Sequence, residues 1–192
     1  MSEKTKPDQA FELHNSITSD GAQLRELPEL EVRPAKMSDV SPLDKSMPSA
    51  INVAQIAAQE KGDTTFLLAF DGDEPVGRLV IGWGGTTRDE IREWAPNTPN
   101  ISMVRTREDQ RGRGVGTKLI QSAENLARMR GYGQMGLSVA LENKVARRLY
   151  ERLGYENWGH GAYRQPRRMP GPNGETMQTE IYLIKQLTAE KH

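Results

Sequence analysis

Two hydrophobic periods alternate along this chain, and their order predicts its elements. Residues 1–27 are polar and follow neither period, which predicts a tail or arm. From 28 to 188 periodic segments succeed one another, which predicts a single domain. Leu30, Val32 and Pro34 read as a first strand, and Ser38-Asp39-Val40 as a helix start. Residues 49–60 suit a second helix, ended by Gly62. Thr64 to Phe70 and Val76 to Ile81 are apolar strand-like runs around Asp71-Gly72-Asp73-Glu74-Pro75, a turn sequence, so they predict a hairpin. Residues 84–100 read as a loop with a short helix from Asp89 to Trp94, and Ile101 to Thr106 as another strand.

The second half is more regular. From Gly116 to Arg130, the residues Leu119, Ile120, Ala123, Leu126 and Ala127 fall on one helical face, and Gly131 ends the helix. Gln134 to Ala140 predicts a strand. Asn143 is a suitable N-cap for a helix carrying Val145, Ala146, Leu149, Tyr150 and Leu153 on one side, stopped by Gly154. A strand begins at Tyr155 to Trp158. Residues 159–178, rich in Gly, Pro and Arg, read as a long loop before a closing strand, Ile181 to Leu187. Hairpin, strand–helix–strand and helix–strand units in this order predict an α/β fold, a mixed sheet with helices packed on it.

Composition narrows the function classes. With 26 basic and 26 acidic residues the formal net charge is zero, so no global field favours nucleic acid or an anionic membrane. No cysteine is present, which excludes a thiol nucleophile, a disulfide and a Cys-ligated zinc site. The three histidines, His14, His160 and His192, are scattered, and no metal site is expected. No apolar run approaches the ~20 residues of a membrane span, and no secretory leader is visible. A cytoplasmic protein is expected.

The sharpest local feature is Gln110-Arg111-Gly112-Arg113-Gly114-Val115-Gly116-Thr117, between a predicted strand and a predicted helix. A glycine turn there aims successive backbone N–H groups outward, and the helix start adds the positive end of its dipole, which makes a cradle for a pyrophosphate. Arg111 and Arg113 add charge for phosphate oxygens. A P-loop would need Gly-Lys-Ser/Thr, whereas the order here is Gly116-Thr117-Lys118. A dinucleotide fingerprint would need G-x-G-x-x-G, and the spacing is G-x-G-x-G. A purely structural turn and an RGG-like RNA segment are the remaining readings of the turn by itself; the strong amphipathic helix that follows argues against a disordered segment.

Arg111-x-x-Gly114-x-Gly116 resembles the pyrophosphate loop of the GNAT family of N-acetyltransferases. Leu137-x-Val139 followed by Asn143, Ala146, Leu149-Tyr150 and Leu153-Gly154-Tyr155 is similar to that family's fifth strand and next helix. The resemblance is specific from Ile101 to Tyr155 and absent in 1–27 and 159–178. It implies a mostly antiparallel mixed sheet whose central strands splay apart around acetyl-CoA. Val104, Arg105 and Thr106 would then present backbone groups to the pantetheine and acyl carbonyl. Arg111, Gly112, Arg113, Gly114, Val115, Gly116 and Thr117 would hold the pyrophosphate, and Asn143 the pantetheine arm. Tyr150 would be the acid at the thioester sulfur.

The implied activity is transfer of an acetyl group from acetyl-CoA to a primary amine of a small molecule, peptide or protein. A non-catalytic acyl-CoA-binding regulatory module is the alternative, and a nucleic-acid binder the more distant one. Dimerisation is common among similar proteins, and no interface is specified here. The base is not legible: many relatives carry a glutamate on the fourth strand, but Ile101-Ser102-Met103-Val104-Arg105 has no carboxylate. Asp89, Glu90, Glu93 and Glu142 are the candidates, and proton transfer through water with no protein base is the alternative. Arg88, Arg92, Arg105, Arg164, Arg167 and Arg168, with His160 and Tyr163, suggest an acceptor carrying an anionic group. Trp83, Trp94 and Trp158 are candidate pocket walls, with core or rim packing the commoner use.

Overall fold

A computed structural model describes residues 30–168 and 174–187; the side chains of Arg167, Arg168 and Glu175 are outside that description, as is the 1–27 segment read as a tail. Seven strands form one sheet in the order β1-β2-β3-β4-β5-β7-β6. They are β1 (Glu31–Pro34), β2 (Thr64–Asp71), β3 (Glu74–Gly82), β4 (Asn100–Thr106), β5 (Gln134–Ala140), β6 (Glu156–Arg168) and β7 (Glu175–Gln186). The helices are α1 (Val40–Ser46), α2 (Asn52–Glu60), α3 (Asp89–Trp94), α4 (Val115–Met129) and α5 (Lys144–Arg152). Every pairing is antiparallel except β4 with β5.

The period-2 rule explains how the sheet is covered. On β2, Phe66, Leu68 and Phe70 join the core beneath α1 and α2, while Leu67 and Ala69 join the core beneath α4. Both faces are buried, so β2 reads as a continuous apolar run rather than an alternating one. On α4, Leu119, Ile120, Ala123 and Ala127 are fully buried at helical spacing. Glu124 on the same face is also buried, held by Lys185 Nζ of β7 at 2.7 Å and Arg128 at 3.6 Å. Asn143 caps α5 as the sequence suggests: its side-chain oxygen accepts from the Ala146 N–H at 3.1 Å.

The expected loop over 159–178 is a correction. Residues up to Arg168 continue β6, and β7 begins at Glu175, so most of the segment is a long antiparallel pair. Gly159 and Gly161 have φ of 87° and 86°, and the register jumps from Asn157↔Leu183 to Ala162↔Ile181. The glycines thus serve a bulge within a strand, a signal that resembles loop chemistry in sequence. The second helix also starts later than residue 49, at Asn52.

Candidate active site

The sheet opens at its centre. β4 and β5 pair only through Asn100↔Gly136 and Ile101↔Leu137. Beyond Leu137, β5 pairs with β7 on its other side, and β4 stays with β3. The backbone groups facing the gap lose their ladder partners there. A cavity of about 570 Å³ fills the opening, lined by Ile101 to Val104, Ser138 to Ala140, Glu142, Asn143, Ala146, Tyr150, Gln165, Pro166, Gln178 and Glu180. A second hollow, of about 440 Å³, lies between α1 and the β2–β3 turn, away from this opening.

β4 is bulged where it borders the cavity. Its register against β3 shifts between Arg78↔Arg105 and Val80↔Ser102, so Leu79 faces two residues, Met103 and Val104. Met103 adopts φ 56°, a left-handed conformation that costs a side-chain-bearing residue on the order of 1–2 kcal/mol. Met103 packs toward the α1–α2 core and Val104 toward the α4 core. A strained bulge at a cavity wall re-aims backbone groups, as is common at functional sites.

The glycine turn stands at the far end of β4. Gly112 and Gly114 have φ of 77° and 81°, and Gly114 is the N-cap of α4. The first N–H groups of α4 have no intrahelical acceptor, and the helix dipole is positive there. A Cβ on Gly116 would lie 3.2 Å from Leu149 Cδ2 and 3.9 Å from Thr106 Oγ1. Glycine therefore lets the start of α4 sit between β4 and α5. Arg111 and Arg113 are exposed, with Glu108 and Asp71 each at 3.4 Å. Surface pairs of that length contribute little, so both guanidinium groups can turn to a phosphate.

Of the residues singled out in the sequence, Val104, Asn143 and Tyr150 line the cavity; 111–114 form the turn and 115–117 open α4, and none of these seven lines it. Thr106 lies against the start of α4. Arg105 is exposed and is not among the residues lining the cavity. Tyr150 is buried in the α4 core, edge-on to Tyr155 at 6.2 Å between centroids. Burial pushes its phenol up to about 12, and no hydrogen-bond partner for its hydroxyl is found among the described residues. Asp89 and Glu90 are exposed and paired with Arg92 and Arg88, Glu93 is exposed, and Glu142 is exposed at the cavity edge. Trp83 is buried and donates to Thr65 Oγ1 at 2.9 Å, and Trp94 stacks on His160 at 4.1 Å; none of the three tryptophans lines the cavity.

Glu180 and Ser138 were not singled out in the sequence, and Tyr163, named there beside the arginines, joins them. Glu180 of β7 reaches the cavity, accepting from Gln178 Nε2 at 2.9 Å. The Tyr163 hydroxyl lies 3.4 Å from Glu180 Oε2 and donates to Ser138 Oγ. Tyr163 is half-buried, and burial pushes its phenol up to about 12. The Arg88 guanidinium covers its ring at 4.2 Å. The signal was the period-2 series Gln178, Glu180, Tyr182, Ile184, which puts the carboxylate on the face of a buried tyrosine.

A mixed sheet whose central strands part after two paired residues, with a glycine turn opening the helix between them, defines an acetyltransferase-type α/β protein. The sequence model of the acetyltransferase (GNAT) family matches residues 26–155, and the chain belongs to that family. An uncharacterised N-acetyltransferase of Methanocaldococcus jannaschii is 37% identical over 94 residues, 49% of this chain and 39% of that protein. N-alpha-acetyltransferase 30 of Schizosaccharomyces pombe is 26% identical over 88 residues, 46% of this chain and 55% of that protein. The chain thus spans only part of the length of these curated relatives. Among solved structures, an N-acetyltransferase from Staphylococcus aureus Mu50 superposes with a TM-score of 0.63 at 14% identity, covering 83% of this chain and 99% of that one. A putative acetyltransferase from Salmonella typhimurium, solved with its cofactor acetyl-CoA, gives 0.60 at 17%, covering 85% and 96%. These likenesses show the fold.

Proposed function

We propose that the protein transfers an acetyl group from acetyl-CoA to a primary amine of a small molecule, peptide or protein by direct attack. The observation that carries this reading is the cavity at the β4–β5 opening, which brings a strained backbone bulge and the Tyr150 side chain to one place. Family membership and the acetyl-CoA complex of the Salmonella typhimurium neighbour support the donor. The related names N-alpha-acetyltransferase and thialysine N-epsilon-acetyltransferase support an amine acceptor.

In this reading the glycine turn and Arg111 and Arg113 hold the pyrophosphate. The pantetheine runs between β4 and α5, past Asn143, whose side-chain oxygen caps α5 and whose amide N–H groups have no partner among the described residues. The bulged backbone at Met103 and Val104 stabilises the oxyanion as the amine adds to the thioester carbonyl. The C–S bond then breaks, its electrons pass to sulfur, and Tyr150 supplies the proton. Burial raises this phenol, so it carries its proton at neutral pH. No covalent enzyme intermediate is required. Thiol release from acetyl-CoA in the presence of primary amines tests the activity; absence of release from a folded protein with any amine would overturn it.

A further inference from the structure

Among the described side chains, the ionisable groups lining the cavity are Glu142, Tyr150 and Glu180, with no arginine, lysine or histidine. Arg88 lies behind Tyr163, on its ring, and Arg92 is bound to Asp89 at the surface. Among the described side chains, therefore, no arginine lines the cavity.

Glu180 and Tyr150 approach the opening from opposite faces of the sheet. Ile181 and Leu183 of β7 face the α4 core, where Tyr150 also lies. Glu180 alternates with them, on the face of Tyr182, Ile184 and Tyr163. A donor whose sulfur meets Tyr150 leaves its carbonyl open to the opposite face. That face holds a half-buried carboxylate fixed by Gln178 on one oxygen and near the Tyr163 hydroxyl on the other.

We infer that Glu180 is the seat of the acceptor's amino group and receives its proton, and that the acceptor is a cationic amine without a nearby anionic group. The inference rests on the acetyl-transfer reading. The ammonium docks against Glu180, and loss of one proton to water leaves the neutral amine. As the C–N bond forms and the carbonyl electrons move to oxygen, the nitrogen becomes acidic and its second proton passes to the Glu180 carboxylate. Collapse restores the carbonyl, breaks the C–S bond, and the thiolate takes the Tyr150 proton. The proton on Glu180 then replaces it through solvent. The balance is amine plus acetyl-CoA giving acetamide plus CoA thiol. Tyr163 and Ser138 are positioning residues, since they act through the carboxylate.

Paired probes test this. Glycinamide and agmatine carry an amine and no carboxylate; glycine and glutamate carry both. Thiol release should be at least tenfold faster in kcat/KM with the first pair. Glu180→Gln should lower kcat/KM for that pair tenfold or more, with KM raised. Glu180→Asp should recover part of the loss. The melting shift with acetyl-CoA should be unchanged in both variants, which also shows that they fold. Tyr163→Phe should raise KM more than it lowers kcat. Preference for the carboxylate-bearing amines would overturn the assignment, as would an unaltered kcat/KM in Glu180→Gln, or a protein that binds acetyl-CoA but acts on none of the four. Absence of the acetyl-CoA shift in the unaltered protein would instead overturn the underlying reading.

Discussion

Ile101 of β4 and Leu137 of β5 form the last pair through which those strands touch, and the next residues of each strand line the cavity. Both side chains are buried in the α4 core, so the edge of the opening is fixed by packing. The backbone on its two sides is free to bind a ligand because the ladder ends there. The chemical groups sit a few residues beyond this hinge of the sheet, at Met103 on one strand and Ser138 on the other.

Tyr150 supplies the first prediction. General acids contribute on the order of 100-fold or more to rate. Tyr150→Phe should lower kcat about that much at saturating substrates while the acetyl-CoA melting shift is retained. An unaltered kcat would remove Tyr150 from the mechanism.

The glycine turn supplies the second. Gly114 has φ 81°, so Gly114→Ala should destabilise the free protein by about 1–2 kcal/mol. Arg111 is exposed, and Arg111→Glu should alter the stability of the free protein by less than about 0.5 kcal/mol. Both should shrink the melting shift with acetyl-CoA, Arg111→Glu through charge alone. Differential scanning fluorimetry with and without the ligand separates the two effects.

The pair of Glu124 and Lys185 ties α4 to β7 across the back of the cleft at 2.7 Å. Glu124 is buried and Lys185 partly so. Lys185→Met should cost about 3 kcal/mol in urea unfolding, because it leaves a buried carboxylate with Arg128 as its remaining cation among the described residues. Glu124→Leu together with Lys185→Met should recover most of that loss. Equal losses in the single and double variants would contradict this.

Alkaline pH should unfold the protein early. Burial raises the phenols of Tyr150 and Tyr163 to about 12 and also raises those of Tyr155 and Tyr182. The folded state holds protons that the unfolded chain releases near pH ~10, so stability is full below that pH and falls as pH rises toward 12. Tyr150→Phe removes one such group and should flatten the fall. Chemical unfolding at pH 8, 10 and 11 reads this directly.

Much of the architecture was legible in the sequence because it follows from periodicity. Leu119, Ile120, Ala123 and Ala127 marked α4, and Asn143 marked the cap of α5. The glycine turn was legible because only glycine accepts its backbone angles cheaply. What escaped were features set by tertiary contacts. Met103 has no residue-type signal for a left-handed conformation; the bulge arises from its register against Leu79. The β6–β7 pair hid behind Gly159, Gly161 and Pro166, which read as loop residues until strand pairing accounts for them. Glu180 hid there too, since its role depends on Tyr163 meeting it across the strands. That Arg88 stacks on the Tyr163 ring is likewise a tertiary contact with no signal in the sequence.

The central claim is the donor site, and the melting temperature with excess acetyl-CoA tests it most directly. Ligand at 100 times its dissociation constant should stabilise the fold by about 2.7 kcal/mol. In a chain of this size that corresponds to roughly 5–10 °C. The account predicts a rise of that order, diminished in Arg111→Glu. No rise at millimolar acetyl-CoA in a folded sample would contradict it.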